Sequence, residues 1–285
     1  MLPDENLLLE LLSKQSITPQ DHGCMETLAR FLNIKPVYFN RHDTKNIFLS
    51  NTQTPKLLFV GHTDVVPPGP QHHWQSSPFP TSIQDPLIAR GIVDMKGAIW
   101  AFASALKQHP NADVAILLTS DEEGNGKDGT IYAIDCLKAL NVRIPWAIVG
   151  EPTSHQTVGD HFKHKRRGSY SWTVRLHGTQ GHTAYPENAD NPVKALSDLL
   201  QILHQFKAQL SNHHNLEIYS IQTSSHTSNL IPAYVEVGLN LRYFETQKIE
   251  QLTQLLKQHS DDITLMPGAK PYASSPNELQ TLLTR

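Results

Sequence analysis

Four short blocks concentrate the residues able to do chemistry: GHTDVVPPG (61–69), ARGIVDMKGA (89–98), LLTSDEEGNG (117–126) and AIVGEPTS (147–154). Imidazole nitrogen and carboxylate oxygen are the ligands of hard and borderline divalent ions, and a carboxylate with two oxygens can bridge a pair of them. His62, Asp94, Glu123 and Glu151 offer such a set. Asp64 stands two residues after His62, so in an extended His-x-Asp turn its carboxylate would accept the other ring N–H and fix the tautomer. Glu122 and Glu123 are adjacent, and neighbouring side chains diverge, which lets one bind metal while the other stays free as a base. A single acid at a strand end is ordinarily a helix cap or a loop residue. Composition does not produce four such blocks in this order.

The elements that must position these residues are legible around them. Three of the blocks follow an apolar run, KLLFV, VAILLTS and WAIVG, of the kind that forms buried parallel strands. The acids therefore sit at strand C-terminal ends, where α/β sheets bind ligands. Helices are expected over 5–15, 23–32, 95–108 and 128–140, and strands over 46–50, 57–61, 113–119 and 146–150, an alternation that makes a helix-covered sheet. The pattern changes near Gly168. Alternating strands over 170–177, 216–224 and 233–243, with helices over 190–209 and 246–258, read as a small α+β lid with an antiparallel sheet. Pro67, Pro68, Pro70 and QHHWQSSPFP (71–80) form the longest irregular loop. His72, His73 and Trp74 are read there as surface residues, because the strand ends already supply the metal set.

At 285 residues and 39% hydrophobic, the chain fits a globular protein of two domains with a sizeable core. A net charge of −3 and a pI near 6.6 give no reason to expect nucleic-acid or membrane-surface binding. The short basic cluster KHKRR (163–167) reads by itself as a solvated loop. Only Cys24 and Cys136 occur, without C-x-x-C spacing, so a reducing compartment is expected and a disulfide framework is not. The first fifteen residues read as an acidic amphipathic helix and not as a signal peptide, and no apolar run approaches the ~20 residues of a membrane helix. A cytoplasmic protein is expected.

With these motifs the chain resembles the dinuclear zinc amidohydrolases of the aminoacylase and carboxypeptidase G type. Narrower wording lies mostly outside the metal blocks, in SITPQDHGC (16–24), SDEEGNGKDGT (120–130), GEPTS (150–154), RRGS (166–169), GTQGHTAYPENADNP (178–192) and SNLIP (228–232), and is similar to the desuccinylase branch of that family. The match runs over essentially the whole chain. It implies a zinc-peptidase-like α/β catalytic domain over 1–167, with helices packed on a mainly parallel sheet. An inserted α+β lid and dimerisation domain follows over 168–273, and the start of a return segment of the catalytic domain over 274–285.

The resemblance also implies two divalent metal ions, zinc with cobalt as the alternative. His62 and Glu151 become terminal ligands, Asp94 the bridge and Glu123 a further terminal ligand. Glu122 becomes the general base, with Asp64 beside it in the catalytic set, and a non-proline cis peptide is expected at Asp94–Met95. His182 from the lid of a partner copy would stabilise the oxyanion, and Tyr185 and Asn229 would reach the substrate in the same way. Arg166 and Arg242 suit the substrate's carboxylates. The implied reaction is hydrolysis of the succinyl amide of N-succinyl-LL-2,6-diaminopimelate, in lysine and diaminopimelate biosynthesis. An acetylornithine deacetylase-like or aminoacylase-like enzyme, or an inactive truncated paralogue, are the alternatives. Family members carry a G-G-T-S-D-like loop and a histidine ligand in a last segment, of which SSPNELQTLLTR (274–285) resembles only the first helix. One metal position is accordingly expected to lack a terminal ligand, and the polypeptide to hold one zinc more firmly than the other, with little hydrolysis.

Overall fold

The computed structural model describes residues 4–83 and 85–283, in two compact units, Met1–His161 and Phe162–Arg285. The division falls six residues before the expected change at 167/168. The reason is a pairing: Lys165–Arg166 forms a short antiparallel bridge with Tyr272–Ala273, which ties the basic cluster to the second unit.

The first unit is built on a five-stranded sheet. Its strands are β1 (Val37–Tyr38), β2 (Asn46–Ser50), β3 (Leu57–His62), β4 (Val114–Thr119) and β5 (Trp146–Val149), in the order β1-β2-β4-β3-β5. The three apolar runs are β3, β4 and β5, and these pair in parallel, whereas β1 with β2 and β2 with β4 are antiparallel. Both faces are covered, which is why β4 is apolar from Val114 to Leu118. Ile116 and Leu118 point into a core with α1 (Glu5–Ser13), α2 (Cys24–Leu32) and α3 (Gly97–Gln108). Ala115 and Leu117 point to the other face, where α4 (Thr130–Ala139) supplies Ala133 and Leu137. Successive strand residues alternate faces, so one apolar run serves two cores.

The helix expected over 95–108 starts two residues later. Ile92–Lys96 forms a kinked turn with non-helical backbone at Asp94 and Met95, and the Asp94–Met95 peptide is cis. Lys96 is fully buried and donates to the carbonyls of Leu11 and Lys14, both at 2.9 Å, which pins this turn to the end of α1.

The second unit carries an antiparallel sheet of β7 (Gly168–His177), β9 (Asn215–Thr223), β11 (Tyr234–Tyr243) and β12 (Asp262–Pro267), in the order β12-β7-β11-β9. Its short strands are β6 (Lys165–Arg166), β8 (Gly181–His182), β10 (Leu230–Ile231) and β13 (Tyr272–Ala273). Trp172, Val174 and Leu176 of β7 and the alternate residues Val235 to Tyr243 of β11 bury one face under α5 (Pro192–Ala208) and α6 (Gln247–Gln258). Asn191 caps α5, accepting from the Val193 N–H with Pro192 at the first helical position, as the Asn-Pro pair predicts. A last short helix, α7, covers Glu278–Leu283. Among the described residues no helix is long and apolar enough to cross a membrane.

Candidate metal centre

His62 ends β3, and its side chain is almost completely buried. Its Nδ1 lies 2.8 Å from the backbone carbonyl of Asp64. A carbonyl only accepts, so Nδ1 carries the proton and Nε2 is left to face the acids. Asp94 Oδ1 is 2.9 Å from Nε2, Glu151 Oε1 is 3.5 Å away and Glu122 Oε2 is 3.9 Å away. Two sets of potential ligand atoms each lie within 4.8 Å of one another: His62 with Glu122 and Glu151, and His62 with Asp94 and Glu123. The four carboxylates named from the sequence as ligands or base thus converge on the His62 imidazole. The geometry does not set Glu122 apart from the ligands.

Asp64 works differently from the sequence expectation. Its carboxylate oxygen is 3.5 Å from His62 Nδ1, while its own carbonyl makes the short contact. The carboxylate, fully buried, instead accepts the backbone N–H of Glu123 at 3.1 Å and of Glu122 at 3.4 Å. One aspartate therefore orients the imidazole through its main chain and the two glutamates through its side chain.

A further layer was not singled out for chemistry from the sequence. Thr63, between His62 and Asp64, donates its hydroxyl to Asp21 Oδ1 at 2.8 Å, and its carbonyl accepts from Ser16 Oγ at 2.7 Å. The Val65 N–H donates to the Ser16 carbonyl at 2.8 Å. The segment SITPQD thus clamps the end of β3 from behind. The sequence marked this stretch only through the family wording SITPQDHGC, without a role, and in the fold its Ser16 and Asp21 are buried.

Electrostatics show what the cluster lacks. Burial opposes a charge on His62, yet hydrogen bonding from Asp64 and Glu151 raises its pKa to about 11. Burial raises the pKa of Glu122, and Glu151, Asp64 and Asp94 raise it further against the opposing effect of His62. Burial and then Asp94 raise Glu123 in the same way. Four carboxylates around one imidazole repel one another beyond what a single ring proton can offset, and a divalent cation is the species that balances them. The donor set of imidazole and carboxylates, with Nε2 free of any carbonyl, fits such ions.

The remaining candidates lie in the second unit, in two groups. His182 is exposed, sits opposite Leu230 in the β8/β10 pair, accepts the Ala184 N–H on Nδ1 at 3.0 Å and has Tyr185 5.8 Å from its ring. Asn229 joins them, since its carbonyl accepts the Thr183 N–H at 3.0 Å. Arg242 lies elsewhere, opposite Ser169 near the start of β7, with exposed Arg166 two residues before that strand. The β7/β11 ladder runs from Gly168↔Tyr243 to His177↔Tyr234. At ~3.3 Å per residue its ends are roughly 30 Å apart; the arginines lie at the first end, and the His182 group, in the separate two-stranded β8/β10 sheet, follows on from the second.

Residues 58–265 match the peptidase family M20/M25/M40. A succinyl-diaminopimelate desuccinylase of Thioalkalivibrio sulfidiphilus is 40% identical over 297 aligned residues, covering 96% of this chain and 78% of that protein. One of Nitrosococcus oceani is 36% identical, covering 98% and 80%. Among solved structures, the M20 metallo-carboxypeptidase Sso-CP2 of Sulfolobus solfataricus superposes with a TM-score of 0.70 at 16% identity, over 98% of this chain and 81% of that one. YXEP of Bacillus subtilis, a dinuclear metal-binding peptidase, gives 0.65 at 12% identity, over 95% and 75%. The fold, the cluster around His62 and the sequence match agree, and the chain belongs to the M20 peptidase family.

Proposed function

We propose that this chain is a metal-dependent amidohydrolase that cleaves the succinyl amide of N-succinyl-LL-2,6-diaminopimelate, giving succinate and LL-2,6-diaminopimelate. The chemistry rests on the convergence of Asp94, Glu122, Glu123 and Glu151 on His62 Nε2. The substrate rests on the relatives, which at 36–40% identity carry the name of that desuccinylase.

Two divalent ions, zinc in this reading, would be held by His62, Asp94, Glu123 and Glu151. Their contribution when bound is to polarise the scissile carbonyl and to lower the pKa of the attacking water. Glu122 takes the proton of that water and delivers it to the leaving amine nitrogen. Burial raises its pKa above the ordinary carboxylate value, the direction that suits a group that must both accept and return a proton. Asp64 keeps the two glutamates in their separate tasks by holding both backbone N–H groups.

In this reading the chain works as a homodimer. Arg242 lies at one end of the β7/β11 ladder, and His182 lies past the other end, in the separate β8/β10 pair. That separation is resolved if His182, Tyr185 and Asn229 serve the site of a partner copy while Arg166 and Arg242 bind carboxylates in their own. His182 then donates from Nε2 to the oxyanion, its Nδ1 being occupied as the acceptor of the Ala184 N–H. The reaction belongs to the cytoplasm, in keeping with two cysteines that form no disulfide. The test is release of succinate from N-succinyl-LL-2,6-diaminopimelate by the purified protein with zinc present and with zinc chelated, beside N-acetylornithine as competitor substrate. Preferential cleavage of the acetyl compound, or cleavage indifferent to chelation, refutes the reading.

A further inference from the structure

We infer that a second feature of the first unit, the cavity between Pro68 and Arg90, binds a carboxylate carried on a short aliphatic chain, and that in the reaction proposed above it receives the free carboxylate of the succinyl tail. The cavity has a volume of about 480 Å³ and is lined by Pro68, His73, Trp74, Gln75, Ile88 and Arg90. Pockets of this size hold small organic ligands. Trp74 is half-buried and tied down: its indole N–H donates to the Pro68 carbonyl at 2.8 Å. The Arg90 guanidinium lies over the Trp74 ring, 5.2 Å from its centre, and one terminal nitrogen reaches the same carbonyl at 3.4 Å. Stacking and one weak hydrogen bond leave most of its five N–H donors unused.

Arg90 Nε is buried and has no hydrogen-bond partner. The arginines in ion pairs among the described residues are Arg30, Arg41 and Arg175, and Arg90 is not one of them. Arg90 lines the cavity with its guanidinium held by the Trp74 ring and no carboxylate among the described residues paired to it, so its terminal N–H groups are the donors a bound anion would meet. The flat fork matches a carboxylate. The remaining wall selects the rest of the ligand: Ile88, Pro68 and the indole offer apolar surface for methylene groups, and Gln75 offers an amide beside them.

The place of the cavity in the chain links it to the metal centre. Pro68 is six residues after His62, and Arg90 is four residues before Asp94. Its two walls are therefore continuations of the two segments that carry those candidate ligands. An acyl group whose amide carbonyl is at the metal centre and whose tail ends in a carboxylate presents the chemistry this cavity is built to take. The identity of the tail rests on the desuccinylase reading; the carboxylate site itself does not.

The experiment uses succinate as the probe and the indole signal of Trp74, identified in NMR spectra by its loss in Trp74→Phe, as the reporter. With metal chelated, succinate is expected to shift this signal saturably, and succinamide, which lacks the carboxylates, is expected not to. Arg90→Gln is expected to weaken succinate about tenfold to a hundredfold, the range for losing hydrogen bonds to a charged group. Arg90→Lys should recover part of the loss, since it keeps the charge without the fork. Ile88→Asp, which sets a competing carboxylate on the wall, should abolish the response and covers the case in which the Arg90 variants fail to fold. In turnover, Arg90→Gln should raise KM for the succinyl substrate far more than it lowers kcat. Unchanged succinate titration in Arg90→Gln and Ile88→Asp, or an equal response to succinamide, overturns the site. Succinate binding that depends on Arg90, with no hydrolysis of the succinyl substrate, would leave the site standing and refute the proposed reaction instead.

Discussion

Replacing Asp64 isolates the residue on which the organisation of the metal centre depends. Its carboxylate holds the N–H groups of Glu123 and Glu122 at 3.1 and 3.4 Å, and lies 3.5 Å from His62 Nδ1, so it approaches three of the groups around the ion site from behind. A hydrogen bond to a charged group contributes about 1.5–3 kcal/mol, and Asp64→Ala removes two, for a loss of about 3–6 kcal/mol that the long Glu122 contact draws toward the lower end. Asp64→Asn keeps one acceptor oxygen and turns an amide NH₂ toward the other N–H, so it loses one bond, about 1.5–3 kcal/mol, or roughly tenfold to 150-fold in an equilibrium constant. The readout is zinc affinity, by competition against a chromophoric chelator, together with thermal unfolding. Asp64→Asn should bind zinc more weakly by about ten- to a hundredfold, the scale found for residues that support metal ligands without touching the ion, while it unfolds near the wild-type temperature. Asp64→Ala should lose more affinity and unfold earlier. Wild-type zinc affinity in Asp64→Asn would refute the view that these backbone bonds position the glutamates.

Three further outcomes are expected. Glu122→Gln should retain zinc and lose hydrolysis by about 10²–10⁴-fold; loss of zinc with retained activity per bound ion would exchange the roles of Glu122 and Glu123. His62 in the metal-free fold has a pKa of about 11, above its ordinary 6.5, so its contribution to stability is complete below about pH 6.5 and is lost only as pH rises through about 11. An ion arriving near neutrality must displace that proton, so calorimetry in two buffers of different protonation enthalpy should show about one proton released per first zinc, and a heat independent of buffer would contradict it. Gly97→Ala places a Cβ against the Ile92 carbonyl oxygen, which must move the turn that carries Asp94. A fall of about 1–3 kcal/mol in urea unfolding together with weaker zinc binding is the expected result, and unfolding at wild-type urea would show that the turn yields freely.

Much of the first unit was legible because its central strands are unambiguous. KLLFV, VAILLTS and WAIVG became β3, β4 and β5, paired in parallel as continuous apolar runs between two helical layers should be. The antiparallel attachment of β2 to β4 was not legible, because NIFLS is compatible with either direction and strand order is a property of packing. In the second unit β12 went unread. DITLMP lies at the sheet edge with nearly every side chain exposed, so no alternation marks it, and its pairing to β7 is carried by backbone groups.

The candidate site divides along the same line. The residues that could touch an ion were readable because that chemistry admits few side-chain types, and His62, Asp94, Glu122, Glu123 and Glu151 do converge. What positions them was not, because the partners are main-chain N–H and C=O groups, which residue type does not mark. Asp64 holds the N–H of Glu122 and of Glu123, and Lys96 holds the carbonyls of Leu11 and Lys14. Neither partner pair has a signature in residue type. Trp74 and Arg90 show the converse case: Trp74 read as a loop surface residue and Arg90 carried no reading of its own, and only their contact across fifteen intervening residues makes the cavity. Chemistry written in side chains can be read from a sequence; chemistry assembled from backbone donors and loop closure requires the fold, and in this chain the second kind holds the first in place.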